Sequence, residues 1–61
     1  MILKDLIPIL VCDFYDIELG ILTIQVESLD NELVRFVEDG EVLQITAWAD
    51  ECGRHLVVTL K

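Results

Sequence analysis

Asp13, Asp16 and Glu18, followed by Gly20, form the densest group of carboxylates set among apolar residues in this chain. Such spacing suggests either cation binding or paired acid–base hydrolysis. A calcium loop takes oxygen ligands at its first, third and fifth positions, then a glycine at the sixth and a glutamate at the twelfth. Counted from Asp13, the third and fifth places fall to Tyr15 and Ile17, which excludes that loop. Hydrolysis by two carboxylates needs one of them held protonated at neutral pH, in a pocket deep enough to desolvate it. A chain of 61 residues offers little depth. The group therefore reads as solvated strand and turn residues, open to a partner's cations.

His55 is the sole imidazole, three residues after Cys52. Nucleophilic catalysis would need a Cys, Ser or Thr beside it and a third group to orient the ring. Arg54 is the only cation near Cys52, and no orienting group is legible, so His55 reads as a strand-edge histidine on a partly exposed face. Cys12 and Cys52 stand forty residues apart without a C-x-x-C, and a small secreted domain usually carries more cysteines. Free, mostly buried thiols are expected. Gly20, Gly40 and Gly53 read as turn or cap residues, with no phosphate-binding loop among them. No catalytic residue, metal or cofactor is assigned. Trp48 is the strongest single candidate for function, because tryptophan is enriched at binding hot spots. It stands beside Asp50 and Glu51, off the main apolar face of its segment.

The elements that must hold these residues follow from periodicity. Leu3, Leu6, Ile7 and Leu10 share one helical face, and Pro8 limits any helix to one or two turns over residues 3–8, with an extended start as the competing expectation. From Val11 to Glu18 the pattern becomes strand-like, and Leu22, Ile24 and Val26 then alternate with Thr23, Gln25 and Glu27. The two segments predict a hairpin turning near Leu19-Gly20. Leu29, Leu33, Phe36 and Val37 form an apolar stripe at helical spacing, between Ser28 as N-cap and Gly40 as stop. This predicts the main helix. Val42 to Trp48 places Leu43, Ile45 and Ala47 on one face, with Val42, Gln44, Thr46 and Trp48 on the other. Asp50 to Gly53 is a turn, and Leu56, Val58 and Leu60 then alternate with His55, Val57 and Thr59.

The expected fold is a single α+β domain over residues 1–61, two layers in the order (α)ββαββ. A four-stranded antiparallel sheet carries one main helix on one face, since short hairpin loops make antiparallel neighbours. Its second face would present Val42, Trp48 and Val57 among polar residues. Together with Asp13, Asp16, Glu18, Asp50 and Glu51 these make the candidate interface.

Composition bounds what that interface can meet. Twelve carboxylates against Lys4, Arg35, Arg54 and Lys61 give a net charge of −8, which excludes the basic face that nucleic acid requires. The apolar fraction is 54% and mean hydropathy is +0.57, more hydrocarbon than so small a body can hide. Self-association is the expected outlet, a homodimer first. The negative charge reads first as solubility for an apolar small chain and second as steering toward a larger, basic protein, the other expected partner. The longest early apolar run, Leu6 to Cys12, is broken by Pro8 and stopped by Asp13, far short of the ~20 residues of a membrane span. A basic leader with a small-residue cleavage site is not seen either, and the expected location is the cytoplasm.

Leu3-Lys4-Asp5-Leu6-Ile7, Glu41-Val42-Leu43-Gln44-Ile45 and Leu56-Val57-Val58 resemble segments of small acidic proteins encoded by bacteriophages and prophages of Gram-positive bacteria. That resemblance implies a non-enzymatic protein, located in the host cytoplasm, that inhibits a host defence complex such as a nuclease or helicase. It assigns no site residue. The alternative expectation is a self-assembling structural or regulatory subunit, without mimicry of nucleic acid.

Overall fold

A computed structural model describes all residues, Met1–Lys61. The elements are α1 (Leu3–Leu6), β1 (Phe14–Leu19), β2 (Leu22–Val26), the 3₁₀ helix η1 (Glu32–Phe36), β3 (Val42–Asp50) and β4 (Gly53–Leu60). This is a small α+β fold with a four-stranded sheet in the order β2-β1-β4-β3.

Both hairpins form where the alternation places them. Leu19 faces Leu22 across a two-residue turn whose first residue, Gly20, has φ +60°. That positive φ suits a type II′ turn, whose hand matches the twist of the flanking strands. In the second hairpin β3 runs on to Asp50, which faces Gly53. The Asp50 carboxylate accepts hydrogen bonds from Cys52 N at 2.8 Å and Gly53 N at 3.2 Å, closing the turn. The first strand starts later than its β formers suggest, at Phe14. Tyr15 accounts for this: its hydroxyl accepts from Cys12 N at 2.7 Å and donates to Leu10 O at 3.3 Å, looping the preceding backbone around the ring.

The sheet is mixed, not antiparallel throughout. β1 and β4, the two central strands, run parallel from Phe14↔His55 to Leu19↔Leu60. Short loops impose antiparallel pairing only within a hairpin. Residues 27–41 between the hairpins are long enough for the crossover that parallel neighbours need. That crossover carries the covering layer over one sheet face.

The main helix expected between Ser28 and Gly40 is absent. In its place runs a staircase of three-residue steps: Asn31 N to Ser28 O, Val34 N to Asn31 O, Val37 N to Val34 O and Gly40 N to Val37 O. Side chains three apart then superpose, which buries Val34 and Val37 and turns Leu33 and Phe36 outward, Phe36 to 82% exposure. The local polar residues favour this course. Ser28 Oγ takes the Asp30 N–H and Asn31 Oδ1 takes the Leu33 N–H, so Asn31 rather than Ser28 caps η1. Such short-range bonds compete with α-helical ones. Gly40, expected as a helix stop, instead admits Leu60: a Cβ there would lie 2.8 Å from Leu60 Cδ1.

α1 is one turn, ending before Pro8, and its start is tied to the chain entering β3. Leu3 N donates to Gly40 O, Lys4 N to Glu38 O and Val42 N to Met1 O. Leu3 is fully buried beside Ile17, Val34 and Val58. The core thus lies between one sheet face (Tyr15, Ile17, Val26, Leu56, Val58, Leu60) and a thin layer from α1, Leu29 and η1. That layer stops short of β3, where only Val42 is partly buried. No helix is long and apolar enough to cross a membrane.

Candidate functional site

The uncovered sheet face carries the only concentration of aromatic and ionisable groups in the fold. Alternation opposite the core residues assigns it Thr23 and Gln25 from β2, and Phe14, Asp16 and Glu18 from β1. From the second hairpin come His55, Val57 and Thr59 of β4, with Gln44, Thr46, Trp48 and Asp50 of β3. These strand positions include no lysine or arginine.

Register then builds a row across three strands. His55 is directly opposite Trp48 on one side and Phe14 on the other. The Trp48 and His55 rings stack with centroids 3.9 Å apart and planes 4° from parallel. Phe14 stacks on His55 at 4.9 Å and 22°. Close, nearly parallel rings gain dispersion beyond the area they bury. Trp48 remains half-exposed, so one flank of the row faces solvent.

Asp50 anchors the row. Its Oδ1 accepts from His55 Nε2 at 2.9 Å, in addition to the turn N–H groups. An ionised carboxylate can only accept, so Nε2 carries the proton in the neutral ring. The hydrogen bond from His55, reinforced by the N–H groups of Cys52 and Gly53, holds the Asp50 carboxyl below its usual value of 3.8. Beside the row an open groove of about 730 Å³ runs past Phe14, Trp48 and His55 toward Asp16, Glu27 and Asn31. It is a shallow, acid-rimmed platform rather than an enclosed pocket.

The structure brings together some of the residues singled out in the sequence and disperses others. Trp48, Asp16 and Asp50 meet around the groove and the row, and Glu18 and Val57 lie farther along the same face. Glu51 is exposed at the tip of the second hairpin. Val42 is on the core face, not the open one: a bulge between Val42 and Gln44 shifts the register by one residue, which reverses its side. Asp13 stands at the head of the β1–β4 ladder, where Oδ2 accepts from Arg54 N at 2.7 Å. That backbone bond, then the Arg54 side chain, lowers its carboxyl below 3.8.

His55 is on a central strand rather than an edge, and Asp50 supplies the orienting carboxylate that the sequence did not reveal. Its only side-chain hydrogen bond is to Asp50, and no thiol or hydroxyl hydrogen-bonds to the ring. Cys12 is half-buried, but Cys52 is exposed at the hairpin tip rather than buried. Phe14, Gln25, Glu27 and Asn31 escaped the sequence reading. All but Asn31 left a trace there: Phe14 alternates out of phase with Tyr15 and Ile17, and Gln25 and Glu27 alternate with the apolar residues of β2. No protein-family model, curated protein or solved structure matches this chain.

Proposed function

We propose that this chain is a non-enzymatic binding protein whose open sheet face receives an arginine-bearing segment of a larger, basic protein. One observation carries the reading: the Phe14–His55–Trp48 row is bordered by Asp16 and Asp50, with no cation among the strand positions of that face. A guanidinium stacks on aromatic faces and forks onto carboxylates, so arginine suits such a surface better than lysine. The net charge of −8 adds long-range steering toward basic clefts. The resemblance to phage-encoded acidic proteins sharpens this to inhibition of a host nuclease or helicase, by occupying a surface that otherwise holds nucleic acid.

Titration of the full chain with hexa-arginine and hexa-lysine, followed by amide and side-chain shifts, tests the reading. The arginine peptide should bind more tightly, move the Phe14, Trp48 and His55 resonances, and weaken as salt rises. Equal affinity for both peptides, indifference to salt, or shifts confined to other surfaces would each count against it. For the inhibitory form, capture from host lysate at rising salt should recover a basic nuclease or helicase that low salt retains and high salt releases.

A further inference from the structure

We propose that β3 pairs with β3 of a second copy, antiparallel and centred on Ala47, so that two four-stranded sheets become one continuous sheet. The inference goes beyond the binding reading above and does not depend on it.

β3 is an edge strand paired with β4, and beyond Val42, whose N–H goes to Met1 O, its other edge is free. The opposite edge strand, β2, spans five residues, whereas β3 spans nine, roughly 30 Å of chain. A long free edge is a template for another strand, and proteins that remain single usually blunt it with lysine, proline or a covering segment. β3 has neither lysine nor proline, and the covering layer does not extend past Val42. Leu43 and Ile45 are 62% and 41% exposed in consequence, and Trp48, on the open face, is 49% exposed.

Charge selects the occupant. Residues 42–49 are an uncharged run of eight in a chain of net charge −8, matched in length by residues 19–26, of which the shorter edge strand β2 takes up five. A basic partner has nothing ionic to meet there, whereas a second acidic copy can approach along its own neutral strip. The strip is also self-complementary. A two-fold axis through Ala47, perpendicular to the sheet, keeps the core sides of both copies together. Ala47 then meets itself, Ile45 meets Ala49 of the second copy, and Thr46 meets its Trp48. Gln44 falls opposite Asp50 of that copy, an amide donor against a carboxylate. No like charges are opposed, a condition that cross-strand pairing favours. The bulge at Leu43 sits outside this register, leaving residues 44–50 regular. An edge contact of this length is a small interface, so association should depend on concentration over an accessible range.

Sedimentation of the unliganded full chain from about 1 µM to about 1 mM, the span of weak specific association, reads the equilibrium. The average mass should climb from 7.0 kDa toward twice that value. Ala47→Glu sets two carboxylates face to face at the axis and should weaken association by about a hundredfold or more. Amide exchange of the unaltered chain locates the contact without any variant: as concentration rises, protection should appear in residues 44–50 on N–H groups that β4 leaves free. A constant single-chain mass across the range would overturn the proposal. So would an affinity unchanged in Ala47→Glu while its circular dichroism stays native, or protection appearing on β2 or the open face instead.

Discussion

Asp13 and Arg54 bind each other across 41 residues of sequence through both backbone and side chain. Asp13 N donates to Arg54 O at 3.0 Å, while Arg54 N and Nε donate to Asp13 Oδ2 at 2.7 and 3.4 Å. The clasp starts the parallel β1–β4 ladder at the point where Gly53, with φ +139°, leads into β4. A Cβ on Gly53 would stand 2.7 Å from Asp13 Oδ2. Gly53→Ala therefore meets both backbone strain of about 1–3 kcal/mol and displacement of Asp13. Gly20→Ala meets only the left-handed strain of roughly 1–2 kcal/mol, since nothing lies within 4 Å of its Cβ position. Urea denaturation should rank Gly53→Ala as clearly the less stable variant.

The same clasp and the Asp50 turn set the acid limb of stability. Asp13 and Asp50 have carboxyls lowered below 3.8 in the folded chain. Groups depressed in this way favour folding at any pH above their unfolded value, and that contribution disappears as pH falls through the folded value. Carboxyl carbon resonances should show both titrating below 3.8, with unfolding free energy declining over that window. Asp50→Asn, which removes the titrating group, should flatten part of the decline.

The three-residue staircase from Ser28 to Gly40 and an amphipathic α-helix make opposite demands on neighbouring residues. The α-helix would seat Phe36 in the core and leave Val34 wet, whereas Val34 is 1% exposed here and Phe36 is outward. Val34→Ala should cost about 2 kcal/mol through lost burial and the cavity left behind. Phe36→Ala, a far larger truncation, should shift stability by no more than about 0.5 kcal/mol. Thermal denaturation of the two variants decides between the geometries.

Trp48 is the only tryptophan, so its emission reports on the aromatic row alone. The His55 ring stacked 3.9 Å away covers one face of the indole. His55→Ala should uncover that face, moving the emission maximum to longer wavelength and raising quenching by acrylamide, while circular dichroism shows the chain still folded. Unaltered emission in the variant would mean that the stack does not persist in solution.

Much of the secondary structure was legible because hairpins and alternation are local. Gly20 marks the first turn, Asp50 to Gly53 the second, and the two-residue period of β2 and β4 separates core from open face. The apolar stripe from Leu29 to Val37 misled for the same reason. Positions at four-residue spacing look alike whether or not the backbone bonds close at four, and Ser28 and Asn31 diverted those bonds.

Residue order alone determined a short, acidic α+β chain with two hairpins, too much hydrocarbon for its size and no basic surface. Tertiary structure decided which strands became neighbours. The parallel β1–β4 pair, the bulge that moved Val42 to the core side, and the meeting of Phe14, His55 and Trp48 all depend on cross-strand register. Register is a contest between whole faces over which side chains become buried, settled only when both strands and the covering layer are in place. No spacing along a single strand encodes it.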